Sequence, residues 1–170
     1  MSFRNRCIVA CPTAPIHLSV PVQNGRDQKG PARDVRIDQS DDWQRRHWRT
    51  LFSCYGSAPF FEYYRDWLEA FYRRSFIFLY DMNLETFQWL ADVYKYPGAI
   101  ALTQSFSKTC PPSVTDLRGR YLPKNYQAEP PLITYSQVFG AEAGFQPNLS
   151  MLDLLFCAGP KGLGLRATFE

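Results

Sequence analysis

The stretch GFQPNLSMLDLLFCAGP, Gly144–Pro160, places one carboxylate, Asp153, inside an otherwise apolar run from Leu149 to Phe156. Its reading decides how the chain closes: on a buried acid with chemistry to perform, or on a helix whose first turn carries Asp153. Ser150 to Asp153 spells S-x-x-D ahead of the apolar residues, and Gly159-Pro160 supplies a stop. In that geometry the Ser150 hydroxyl satisfies an early backbone N–H, and Asp153, a shortened stand-in for Glu or Gln, reaches back to the cap. Asp153 is therefore expected to be a helix-start residue.

Working outward, the start of the chain has a different period. Cys7–Cys11 and Ile16–Val22 are β-prone runs on either side of PTAP, which predicts a hairpin or two neighbouring strands. Cys7–Cys11 is apolar on both faces, as suits a strand covered on both sides. Only Ile16–Val22 offers it an obvious neighbour, so an exposed edge or apolar groove is expected near Arg4–Cys11, with self-association through that edge. The polar loop QNGRDQKGPARD follows, carrying Arg26, Lys29 and Arg33. It could clamp a phosphate, but it lacks P-loop spacing and reads as a connector.

From Ser40 the period becomes helical. Ser40 is the expected N-cap, with Asp41 and Asp42 in the first turn. Trp43, His47, Trp48, Leu51, Phe52, Cys54 and Tyr55 share one half of this helix, and Arg45, Arg46 and Arg49 the other. His47 has two readings: a general acid or base, or a histidine hydrogen-bonded at the edge of a core. A second helix is expected from Ser57, with Pro59 in its first turn. Its aromatic residues could stack a sugar or a base, though aromatics at helical spacing more often pack a core. Residues 75–82 fit helix or strand, Asn83 would cap a helix to about Tyr94, and Ala99–Phe106 reads as a strand. Residues 107–136 read as a long proline-rich loop holding Asp116, Arg118, Arg120 and Lys124.

Composition sets the class. The chain has 170 residues, 45% apolar and 21% charged, long enough for one α/β domain, with a mixed β-sheet and packed helices, that buries its own core. Five scattered cysteines and two histidines suit neither a disulfide framework nor a zinc site, and no residue pattern names a cofactor. A net charge of +3 with dispersed basic residues gives no support for nucleic-acid binding. No apolar run approaches a membrane span, and the N-terminal run is too short for a secretory signal, so no membrane insertion and a cytoplasmic location are expected.

The words FRNRC, LSVPV, WQRRHWRTL, YGSAPFFEYY, YSQVF and GFQPNLSMLDLLFCAGP, in this order from Phe3 to about Pro160, resemble the bacterial WbqC-like family. The resemblance implies a cytoplasmic α/β protein associated with gene clusters for O-antigen and other surface polysaccharides. It places family positions on Arg4, Asn5, Arg6 and Cys7; on Trp43, His47 and Trp48; and on Pro59 to Glu62. Asp116 and Arg118 match an Asp-aromatic-Arg element in which Leu117 replaces the aromatic, and Tyr135 and Gln137 match Tyr-x-Gln-Val-Phe. Cys157 stands where members commonly carry Asn. The resemblance also implies a further N-terminal segment, with a Tyr-Leu-x-Pro element, ahead of Met1; in that case the first strand or strands would be missing here.

Two functions follow from different classes. One is a transferase of surface-polysaccharide assembly acting on a nucleotide-activated or amino sugar. Arg4 and Arg6, two residues apart and so on one face of a strand, would meet phosphate charge. Asn5, Trp43, Asp116, Arg118 and Gln137 would bind the remainder, and His47 would act as acid or base. For the arginine pair, surface solvation or structural ion pairing is an equal alternative. The other function is a non-catalytic protein that docks onto biosynthetic enzymes, since no Ser-His-Asp, P-loop or paired-acid pattern compels the enzyme reading.

Overall fold

A computed structural model describes residues 3–25 and 30–164 of the chain; Arg26 and Lys29 of the expected phosphate loop lie outside them. Strands β1 (Arg6–Val9) and β2 (Ile16–Ser19) form the expected hairpin, antiparallel, with Arg6 opposite Ser19 and Val9 opposite Ile16. Three longer helices follow, α1 (Trp43–Tyr55), α2 (Phe61–Arg73) and α3 (Leu79–Val93). A single turn α4 (Gly140–Ala143) and a closing helix α5 (Met151–Ala158) complete the order. The α/β class holds, with a sheet reduced to two antiparallel strands and extended by isolated bridges from Val22 to Ile37 and from Arg36 to Phe78.

Several local expectations give way to tertiary contacts. Ser40 does not cap α1: its N–H donates to the Asp38 carboxylate at 2.9 Å, and Asp42 takes the N-cap position. Ser57 likewise precedes a turn, and α2 begins after Phe60, whose N–H donates to the Phe156 carbonyl at 3.0 Å. The ambiguous 75–82 segment divides. Ile77 and Phe78 run extended against Val35–Ile37, the Ile37 N–H donating to the Ile77 carbonyl at 2.9 Å, and α3 starts at once with Leu79. Asn83 is thus interior to α3 and caps nothing. The strand expected at Ala99–Phe106 is absent. Its alternating residues Ile100, Leu102 and Phe106 are exposed, and a strand with no sheet edge to join has no ladder to stabilise it.

Helix α1 buries Trp43, His47, Leu51, Cys54 and Tyr55 as its period demands, while Phe52 stays 47% exposed beneath the Arg65 guanidinium. One apolar cluster gathers β1, α1, α2 and α5 around Val9, Leu51, Phe61 and Phe156. A second gathers Val20, Val35, Ile37, Trp43, Phe71 and Leu79. Trp67 and Tyr72 pack against both clusters and join them.

Asp153 overturns its expected role. Ser150 does cap α5, accepting from the Leu152 N–H at 3.3 Å, but the Asp153 carboxylate turns inward and is fully buried. Tyr55 donates to its Oδ1 at 2.7 Å, Tyr135 to its Oδ2 at 2.5 Å and Gln137 to the same oxygen at 3.1 Å. The Ser150 N–H, which a capping box would have given to Asp153, donates instead to the Ile8 carbonyl at 2.8 Å. The Ala10 N–H donates to the Tyr55 hydroxyl at 2.8 Å. Loop and side chain, not a third strand, therefore meet this part of the outer edge of β1.

Removing the carboxylate takes the acceptor from the Tyr55 and Tyr135 hydroxyls and from one N–H of Gln137, whose amide keeps the Gln146 carbonyl. Asp153→Ala is expected to cost about 3 kcal/mol or more in urea unfolding, whereas Tyr55→Phe, which deprives one carboxylate oxygen and the Ala10 N–H, should cost about 1–3 kcal/mol. A loss of about 1 kcal/mol for Asp153→Ala, the size of a simple cap, would return Asp153 to the role of a helix-start residue.

Candidate functional site

A cavity of about 380 Å³ opens between the hairpin, α2, α3 and the start of α5. One rim is Arg4, Asn5 and Arg6, where β1 begins, and the facing side of α3 contributes Asn83 and Thr86. The Asn83 amide donates to the Arg4 carbonyl at 2.7 Å, and the Asn5 amide to the Val20 carbonyl at 2.8 Å, so these two amides fix the rim. The wall opposite is aromatic. Trp67 of α2 and Trp89 of α3 stack with centroids 3.8 Å apart and planes 3° from parallel, and Phe71 continues the stack beside Trp67. Among the described residues the lining includes two arginines and no Asp or Glu, a balance that suits an anion.

His47 lines the same cavity from α1. It is 6% exposed, and its Nε2 lies 3.2 Å from the Ser19 carbonyl. A carbonyl can only accept, so the proton is assigned to Nε2 and the lone pair to Nδ1. Burial, with a smaller contribution from the Arg46 charge, pulls its pKa down to about 4. Trp43 and Tyr72 meet the imidazole edge-on, with centroids at 5.1 and 5.9 Å. Trp43 is itself 1% exposed and supports His47 from behind.

The structure thus brings together four of the expected residues, Arg4, Asn5, Arg6 and His47, with Trp43 packed against the last. It places the others elsewhere. Gln137 is buried at the Asp153 cluster, its amide nitrogen on Asp153 Oδ2 and the Gln146 carbonyl, its oxygen accepting from the Gln146 N–H at 2.7 Å. Asp116 and Arg118 pair with each other at 2.7 Å in the irregular segment, and Arg118 also donates to the Ser107 carbonyl at 2.8 Å. The Arg118 side chain, helped by its backbone N–H, holds the Asp116 carboxyl well below the usual carboxylate range. Arg33, the described arginine of the polar loop, donates to the Thr103 carbonyl at 3.1 Å.

Sequence reading touched Trp67 only as one of the α2 aromatics that could stack a sugar or a base, and missed Asn83, Thr86 and Trp89 as cavity residues. A faint signal exists: Asn83, Thr86 and Leu90 recur at helical spacing, which marks one face of α3. Nothing in the sequence brings that face to β1.

The model of the WbqC-like protein family matches residues 1–112, and the chain belongs to that family. The match ends ahead of Gly144–Pro160, the last of the words that carried the resemblance. No curated protein and no solved structure matches the chain. No helix of the described residues is long and apolar enough to cross a membrane, and among them no cluster of His, Cys, Asp or Glu could hold a metal ion.

The low pKa of His47 sets a pH dependence. Between about pH 4 and 6.5 the unfolded chain binds the His47 proton and the folded chain does not, so stability rises with pH there and is lost on acidification. The full window corresponds to about 3 kcal/mol. Burial raises the pKa of Asp153 against the pull of its three donors, which gives the opposite slope just above the ordinary Asp range, so the His47 component is best read by difference. His47→Gln retains a donor for the Ser19 carbonyl, and the variant's melting temperature should fall less than the parent's on going from pH 7 to pH 4.5. Equal falls would show that His47 titrates normally in the folded protein.

Proposed function

We propose that this WbqC-like chain acts in the cytoplasm in the assembly of bacterial surface polysaccharides, as a transferase that binds a nucleotide-activated sugar in the 380 Å³ cavity. The observation that carries the reading is the convergence of Arg4, Asn5, Arg6 and His47 on one cavity with aromatic residues and, among the described residues, no lining carboxylate. Sugar rings present apolar C–H groups to aromatic rings and hydroxyl donors to oxygens, and the Trp67–Trp89 pair and the acceptor oxygens of Asn83 and Thr86, which themselves donate to the Arg4 and Met82 carbonyls, offer both. The guanidiniums of Arg4 and Arg6 take the diphosphate charge.

In the transfer, an acceptor hydroxyl or amine attacks the anomeric carbon. The bond from that carbon to the diphosphate breaks with its electron pair leaving on the nucleoside diphosphate, and the acceptor's proton goes to Nδ1 of His47. A neutral imidazole with a pKa near 4 is a weak base. A diphosphate held beside it raises its proton affinity, because an opposite charge stabilises the imidazolium.

A thermal-melt panel of nucleotide sugars tests the reading. A member present at about 100 times its Kd should stabilise the fold by roughly 2.7 kcal/mol, a rise of about 5–10 °C for a chain of this size. The variant Arg4→Ala, at an exposed side chain, should lose much of that rise while melting normally unbound. The alternative, a protein that docks onto polysaccharide enzymes, has support in the apolar groups Ile100, Leu102, Phe106, Val114 and Leu117 exposed along the irregular segment. A flat response of folded protein to every nucleotide sugar would favour it and overturn the binding reading.

A further inference from the structure

A second cavity, of about 340 Å³, lies along the outer edge of β1 and shares Phe3, Arg6, Cys7 and Ser150 with the first. Its remaining wall comes from the end of the irregular segment and the approach to α5, chiefly Tyr121, Tyr126, Leu149 and Met151. Two chemically different chambers therefore adjoin at one arginine. The first combines the stacked indoles Trp67 and Trp89 with Asn83 and Thr86, whereas the second is lined by aromatic rings and aliphatic groups, with few polar side chains. Tyr126 is buried and held edge-on by Phe3, with centroids 5.7 Å apart. The Tyr121 hydroxyl is buried and has no hydrogen-bond partner among the described residues. A buried hydroxyl left unpaired costs free energy, which a ligand group reaching it would recover.

We infer that the two cavities form one bipartite site for a nucleoside diphosphate sugar, the sugar against Trp67 and Trp89, the diphosphate at Arg6, and the nucleobase in the second cavity beside Tyr121 and Tyr126. The inference rests on the nucleotide-sugar reading of the first cavity and adds the recognition of the base. The orientation follows from the chemistry of the walls. A sugar needs several hydrogen-bonding groups around an apolar face, which the first cavity supplies. A base needs an aromatic surface and one or two polar contacts, and the second cavity has Tyr121 and Tyr126 with Ser150 in its lining. Arg6 lines both chambers, where the linking charge of such a molecule falls.

Calorimetric titration of the full chain with three probes tests this: uridine diphosphate N-acetylglucosamine, uridine diphosphate and N-acetylglucosamine 1-phosphate. The conjugate should bind at least tenfold more tightly than either half. Tyr121→Ala should bring the conjugate down to the affinity of the sugar phosphate, whose own binding stays unchanged, and Trp89→Ala should weaken the sugar phosphate and spare uridine diphosphate. Tyr121→Phe guards against misfolding. It removes only an unpaired hydroxyl, so the unbound melting temperature should hold or rise while conjugate affinity falls severalfold. If the sugar phosphate binds in a Trp89-dependent manner but the conjugate is no tighter, or is indifferent to both Tyr121 variants, the bipartite site is wrong and the sugar-binding reading stands. If none of the three probes binds, the bipartite site fails together with the sugar reading for this probe class.

Discussion

A buried carboxylate tied to three donors from distant parts of the chain holds this fold in register. Asp153 sits without solvent contact at the start of α5, and its partners Tyr55, Tyr135 and Gln137 are 98, 18 and 16 residues away in sequence. A buried carboxylate is expensive unless its lone pairs are satisfied, and the observed arrangement of α1, the 135–146 segment and α5 satisfies them together. Gln146, bonded to Gln137 at one end, donates from its side chain to the Cys11 carbonyl at 2.8 Å. The cluster thereby reaches the end of the hairpin as well. An apolar residue at 153 could fill the space, but the choice of partners would then rest on shape alone.

The same cluster positions the cavity. Tyr55 anchors Ala10 just beyond β1, and α5 presents Ser150 and Leu152 to the cavity while Asp153 faces the other way. One helix start thus serves the core on one side and the candidate site on the other. His47 is held by a comparable economy, with Ser19 fixing its tautomer and Trp43 and Tyr72 fixing its plane. The result is a neutral imidazole in a cavity that Arg4 and Arg6 also line. Burial disfavours the imidazolium, and an anion bound beside it would favour protonation, so ligand charge and His47 protonation would be coupled by electrostatics.

What the sequence made legible follows from the range of the interactions. The hairpin and the buried stripe of α1 were readable because periods of 2 and 3.6 are local. The Ala99–Phe106 strand was misread because alternation describes a face but not the neighbour a strand requires. Helix α3 begins earlier than Asn83 because residues 77–78 bond to 35–37 and turn directly into it, a contact across some forty positions. Asp153 shows the limit most clearly. S-x-x-D is compatible with a capping box and with an inward-facing hub, and only partners far along the chain separate the two. His47 was legible as a candidate from its place on the apolar face of α1, and Arg4, Asn5 and Arg6 from the resemblance, but their convergence depends on a helix face that carried no motif.

The division of the two cavities along the chain has a consequence for specificity. Apart from Ser150 and Leu152, every residue lining the first cavity falls within residues 1–112, the span that matches the family. In the second, Tyr121, Tyr126, Leu132 and Asn148–Met151 fall beyond it. Asn148, in a left-handed conformation with φ of 57°, binds the carbonyls of Tyr126 and Glu129 through its amide and so fastens the irregular segment over the second cavity. Asn tolerates that conformation better than most residues because its short side chain bonds locally. The portion of the chain that defines the family therefore supplies the arginines, the imidazole and the indole wall. The surroundings of the second cavity come mainly from a segment pinned by side chains and free of regular secondary structure, where substitutions alter a wall without unfolding an element.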